Sequence, residues 1–202
     1  MYDSHYPEKW LPGPGQASTR GMCVMGSPRQ AGISTTPGNR TLDGARDRTA
    51  EGLLEARQLL LAVAGNLQGG SPLIDWAREL ADLHSTLVTA AVSTIRRPAD
   101  FDATATYGLV DTVIGLIDEW SAYHLPRPAF GRRHTHSLGE VISHVAGTYA
   151  HVQWTLRHAE SAEQQHHATL RFAQVQEGYA DLVDEIRALR VVLPLGQGAR
   201  PT

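Results

Sequence analysis

The chain has a single cysteine, Cys23, so it holds neither an internal disulfide framework nor a cysteine-based structural zinc site. It has no apolar run approaching the ~18 residues of a membrane helix. The longest such run, Leu59-Leu60-Leu61-Ala62-Val63-Ala64, has the length of a core helix segment. Aromatic residues are scarce, at 6%, and charged residues reach only 19%. No excess of positive charge exists: the formal net charge is −3. A dedicated nucleic-acid binder would draw its affinity from cations on phosphate, so a nucleic-acid partner is disfavoured. The sequence also lacks G-x-S-x-G, a P-loop, G-x-G-x-x-G and H-E-x-x-H. What remains is 202 residues, about one domain's worth, with 42% hydrophobic content.

Proline and glycine are present but unevenly spread. Pro7, Pro12, Pro14, Pro28 and Pro37 interrupt residues 1–42, and each removes an N–H and fixes φ. That segment is expected to be a disordered arm. Lys9, Arg20, Arg29 and Arg40 outnumber Asp3 and Glu8 there, so the arm is basic beside an acidic body. The readings are a floppy leader, an overextended gene start with Met22 or Met25 as the true start, or a tail that docks on the acidic body or on a partner. No charged n-region precedes an apolar stretch, so a secretory signal is not expected. Cys23 falls in this arm with no base beside it, as an incidental thiol.

From residue 43 the texture is helical, and a helical bundle domain is expected over 43–194, followed by a flexible tail, 195–202. Leu42, Ala45, Thr49, Leu53, Ala56, Leu60, Ala64 and Leu67 make a first stripe that Gly69-Gly70 would end. Ser71-Pro72 opens a second helix, with Pro at the first helical position where its missing N–H costs nothing. Its stripe is Leu73, Ala77, Leu80, Leu87, Ala91 and Ile95, with His84 in the middle. A third helix runs from near Asp102 or Thr104 to about His124. Val110, Val113, Ile114, Ile117, Trp120 and Ser121 share its inner face, and Asp111, Gly115, Asp118 and Ala122 the opposite one. Ser137-Leu138-Gly139-Glu140 is a capping box that starts a fourth helix. There the expected buried stripe is Leu138, Val141, Ile142, Val145, Tyr149, Val152 and Leu156. A fifth helix covers roughly 162–190, with Phe172, Val175, Tyr179, Leu182, Val183, Ile186 and Leu189 inward. No proline or glycine marks a break between helices four and five. The fold class is therefore all-α, an up-and-down helical bundle of four to five helices.

Asp118-Glu119-Trp120, His124-Leu125-Pro126 and Ser137-Leu138-Gly139-Glu140-Val141-Ile142 resemble the middle of an actinobacterial helical family. Gly178-Tyr179-Ala180-Asp181-Leu182-Val183-Asp184-Glu185-Ile186 and Leu193-Pro194 are similar to its last helix, and Leu83-His84 also fits. The family is catalogued as domain of unknown function forty-two fifty-four. The resemblance covers the helical body only. It implies an all-α, cytoplasmic, actinobacterial protein, in keeping with 17 arginines against one lysine. It carries no activity, so it assigns no functional residue.

Ten histidines invite a metal reading. His144, His151 and His158 recur every seven residues and share a face of the fourth helix opposite its apolar stripe, together with Trp154. Positions seven apart lie ~10.5 Å apart along the axis, too far to share one zinc at ~2.0–2.1 Å. That face is either solvated or an interface anchored by Trp154. Glu163-Gln164-Gln165-His166 is a single E-x-x-H, where a di-iron bundle needs two. No metal and no cofactor is therefore expected. His84 is a satisfied core histidine or a general base, with Asp82 or Tyr149 as its candidate partner. The loop Arg127–His136 gathers Arg127, Arg132, Arg133, His134 and His136 beside a helix N-terminus, the best anion site in the chain. Glu177, Asp181, Asp184 and Glu185 form an acidic face without the paired E-x-x-E and E-x-x-D of all-α nucleotide pyrophosphohydrolases. The sequence reads as a cytoplasmic, non-enzymatic interaction or scaffold protein that self-associates or binds a protein partner. The alternatives are a metal- or acid–base-dependent bundle enzyme centred on His84 and an anion or nucleic-acid binder through the Arg127–His136 loop.

Overall fold

Local signals decide where the helices begin. The computed structural model describes residues 52–93 and 99–194, all within one compact unit, Asn39–Thr202. The expected arm and tail, residues 1–42 and 195–202, and Cys23 lie outside the described residues. Five α-helices stand among them: α1 (Ala56–Val63), α2 (Pro72–Val92), α3 (Ala103–His124), α4 (Leu138–His158) and α5 (Ala162–Arg187). The all-α bundle is thus the observed fold.

The caps are side chains that take the orphan N–H groups of a first turn. Asp102 accepts from Thr104 N and Ala105 N ahead of α3. Ser137 and Glu140 form the predicted reciprocal box at α4. Ser161 accepts from Gln164 N at 3.2 Å, so α4 and α5 are separate helices, parted at residues 159–161. Ser71 stands at the expected N-cap of α2, but its hydroxyl donates to the Gly52 carbonyl instead.

The first helix is much shorter than its stripe suggests. Gly52 has φ of +97°, and residues 53–55 are not helical, so the periodic residues before Ala56 do not extend α1. Leu53 and Leu54 are nevertheless buried, inserted as an extended segment. The buried Tyr179 hydroxyl donates to the Leu54 carbonyl at 2.8 Å and so pins that segment to α5. Glu55 and Arg187 form an ion pair across the same contact.

Helix α4 is the central element: it packs on α2, α3 and α5, most extensively on α2. The expectation of one buried stripe therefore changes. Gly139, Ser143, Ala146, Thr148 and Ala150 are buried as well, because three neighbours surround the helix. Leu156, predicted inward, is exposed beyond the overlap of those neighbours. Asp118, expected on the outer face of α3, is buried at 3% exposure against the start of α4. Leu189, also predicted inward, is exposed at φ +58°, past the end of α5. The segment after it runs back as β2 (Val191–Val192) and pairs in parallel with β1 (Arg132–Arg133), in the loop before α4.

Candidate interaction surface

Three constellations stood out in the sequence, and each has a definite place in the fold. His84 projects from α2 toward α4. Its Nε2 lies 2.9 Å from Ser143 Oγ, and the backbone of Gly147 lies under the ring. A Cβ on residue 147 would fall 3.2 Å from His84 Nδ1, so glycine there admits the imidazole. The partner is Ser143, not Asp82, which is exposed, nor Tyr149, whose ring packs on Phe172. A serine beside a histidine has the form of a nucleophile and base. Here Ser143 is buried in the helix contact, and the base is a poor one at neutral pH. Burial first, and the neighbouring His144 second, lower the His84 imidazole from 6.5 to about 4. His144 is also lowered, by burial, then by Arg171 and His136.

This pair gives the bundle a pH dependence. A histidine whose folded pKa is depressed stabilises the fold above its unfolded value, and that contribution is lost as pH falls from 6.5 through 4. The expected loss at His84 is about 2 kcal/mol at pH 5 relative to pH 8. Asp118 acts with the opposite sign, since burial raises its carboxyl and the fold then gains as pH falls. The measurement is therefore a difference: urea unfolding of wild type and His84→Gln at both pH values, with a shallower acid loss in the variant. Equal losses in both proteins would remove His84 as the origin.

The Arg127–His136 loop does not present its cations to a free helix end. Arg132 donates to both carboxylate oxygens of Glu185, at 2.8 and 3.0 Å, while its backbone is held in the β1–β2 pair. Arg127 lines a small cleft with Ser121, Leu125, Ile186 and Val191. Arg133 is exposed. His134 Nδ1 lies 2.8 Å from the His136 carbonyl oxygen and 3.2 Å from its backbone nitrogen, and Thr135 Oγ1 lies 2.9 Å from His136 Nδ1. The amides at the start of α4 already have the chain's own acceptors: Asp118 takes Gly139 N–H and Ser137 takes Glu140 N–H. An external anion would have to displace them.

The histidine face of α4 also divides. His144 is half-buried beside His84, while His151 and His158 are exposed. The His158 ring stacks on Trp154 at 3.9 Å and its Nδ1 lies 2.9 Å from the Trp154 carbonyl oxygen, so the half-buried Trp154 is engaged within its own helix. Among the described residues no three His, Cys, Asp or Glu side chains converge as metal ligands would. No helix there is long and apolar enough to cross a membrane.

The outer face of α3 is a different surface. Its inner face, Val110, Val113, Ile117, Trp120 and Ser121, is buried, and side chains that stay accessible run along one edge of that face. Three of these are large: Leu109 (52% exposed), Leu116 (40%) and Tyr123 (79%). Spaced by seven, they form one ridge along the helix. Beside it run Gly108, Gly115 and Ala122, also spaced by seven. A Cβ at Gly108 or Gly115 would meet no atom within 4 Å. This ridge is legible in the sequence as a second apolar heptad off the main stripe of α3, which a single stripe per helix does not include.

No family model, no curated protein and no solved structure matches the chain.

Proposed function

We propose that the protein is a cytoplasmic, non-enzymatic interaction protein that presents the outer face of α3 to another protein chain. The observation that carries this reading is the ridge of Leu109, Leu116 and Tyr123, exposed in a row along one helix. Scattered surface leucines need no explanation, but three large apolar side chains left accessible in register along one helix are the arrangement a partner helix or loop could cover. A tyrosine at one end adds the residue type that dominates binding hot spots.

The test is site-specific photo-cross-linking from position 109 in the native host cell. A discrete cross-linked product is expected from that position and not from Gln174, exposed on α5. Tyr123→Asp is expected to abolish the product. The same pattern from both positions, or none from position 109, would overturn the reading.

A further inference from the structure

We propose that the α2–α4 contact is an acid-operated latch: proton uptake at His84 parts α2 from α4 while α3, α4 and α5 stay packed together. Such an opening is distinct from a loss of overall stability, because one seam yields before the rest of the bundle. Helices α2 and α4 share the most extensive contact in the fold, and His84 sits within it. Its ring spans a notch one turn long on α4, with Nε2 2.9 Å from Ser143 Oγ and Nδ1 over Gly147, four residues further on. A neutral ring with its proton on Nε2 suits this notch: it donates to Ser143, and the bare Nδ1 rests over the glycine Cα. An imidazolium carries a proton on both nitrogens. The second proton would face a Cα that offers no acceptor, and a charge would lie inside a helix contact. The ring is only half-buried, so a proton reaches it from solvent before the seam opens.

The surrounding charges do not offset an imidazolium there. His144 of α4 is the titratable group whose charge acts on His84, and Arg171 of α5 and His136 of the preceding loop act on His144 in turn. All four carry positive charge when protonated. On α2 itself, Asp82 is exposed two residues away. On the other helices packed against α2, Arg57 of α1 and Asp111 and Glu119 of α3 are exposed. The carboxylates at the start of α4 are engaged by backbone, Asp118 with the Gly139 N–H and Glu140 with the Ser137 N–H.

The other contacts of α4 respond to acid differently, which confines the opening to one seam. Burial raises the Asp118 carboxyl at the α3–α4 joint, so proton uptake there favours the closed joint. Helix α5 is held to α4 by the Tyr149 and Phe172 rings, 5.8 Å apart, a contact that acid leaves unchanged. Residues 64–71 join α1 to α2 and residues 93–102 join α2 to α3, so α2 can step away without unwinding its neighbours. The closed seam holds the His84 imidazole down from 6.5 to about 4. Closure is therefore favoured above 6.5 and loses ground as pH falls toward 4, so the open population grows about 30-fold between pH 7.5 and pH 5.

The experiment is native-state hydrogen exchange of the full chain, corrected for the intrinsic effect of pH, between pH 7.5 and pH 5 and at low urea concentrations. At pH 5 the wild-type α2 amides are expected to exchange at least about 10-fold faster than those of the buried Leu182 and Ile186 on α5. They should do so through an opening that urea barely promotes, since it exposes little surface. Their opening constant is expected to rise about sevenfold between pH 6 and pH 5, as one proton is taken up per opening. His84→Gln keeps a polar group for Ser143 without a titrating ring, and its rise is expected to shrink to about twofold or less. Wild type alone decides the matter if that variant fails to fold. Exchange of α2 and α5 in step, with equal urea dependence, would mean that the bundle opens only as a whole and would overturn the latch. An α2 opening constant that ignores pH, or the same rise in His84→Gln, would overturn it too.

Discussion

Gly139→Ala is expected to destabilise the bundle by about 3 kcal/mol, although alanine is the better helix former. The reason is the approach of α3 to the first turn of α4. A Cβ at residue 139 would lie 2.5 Å from the Ile114 carbonyl oxygen, 3.0 Å from Ile114 Cα and 2.9 Å from Asp118 Oδ1. Two of those three atoms are backbone of a long helix and cannot rotate away. The helices must part, and the fully buried Ile117, Leu138 and Ile142 nearby lose contact with one another. Close-packed interiors do not absorb such a shift. For a domain of this size the change corresponds to a Tm lower by roughly 10 °C. Gly178→Ala is the matched control, because its Cβ would meet nothing within 4 Å on α5. It is expected to stabilise by about 0.5–1 kcal/mol. Equal Tm values for the two variants would contradict the close crossing of α3 and α4.

Asp118→Ala is expected to cost a similar amount, about 3 kcal/mol, by emptying the same joint of its acceptor. Asp118 Oδ1 accepts from Gly139 N–H at 2.8 Å, and the side chain is hydrogen-bonded to Ser137 as well. Both Ser137 and Gly139 are buried, so alanine would leave the Gly139 amide away from water without its acceptor and the Ser137 hydroxyl with the Glu140 N–H alone. Asparagine in place of the aspartate keeps a carbonyl acceptor of the same shape. Burial outweighs the hydrogen bonds at this carboxyl and raises its pKa, so the fold gains little from the full charge. Asp118→Asn is therefore expected to stay within about 1 kcal/mol of wild type by urea unfolding. A loss in the asparagine variant as large as in the alanine one would show that the charge itself holds the joint. Since Asp118 and Gly139 share one contact, Asp118→Ala and Gly139→Ala combined are expected to cost less than the sum of their separate effects.

These two residues also mark the limit of helical periodicity as a guide. Asp118 falls on the outer arc of α3 when the helix is read alone, and its carboxylate suggests solvent. It is buried because α4 begins directly against that arc and needs an acceptor there. Gly139 reads as a small residue within a capping box, and nothing in the local pattern says that a backbone carbonyl lies against it. The same limit governs His84. Its place on an apolar stripe predicts an inward imidazole, which the structure bears out. Its partner, Ser143, stands 59 residues away on a helix that is not its neighbour in sequence.

Arg132 shows the opposite hazard. Clustered cations before a helix N-terminus predict anion binding on local grounds alone. Glu185 and the two-residue β1–β2 pair come from the far end of the chain, and they engage Arg132 within the protein.

The sequence by itself determined the all-α class, the Ser137–Glu140 helix start, and most of the residues that face inward on α2, α3 and α5. Those features are set within a turn or two of helix, by caps, prolines and the 3.6-residue period, and local interactions suffice to specify them. Only the tertiary structure decided that α4 is surrounded on three sides and that Leu53 and Leu54 insert as extended chain. It also decided that Asp118 caps a helix other than its own and that the ridge of α3 is left uncovered. Periodicity says which residues share a face; which faces meet is decided by packing between helices distant in sequence, and no single helix carries that information.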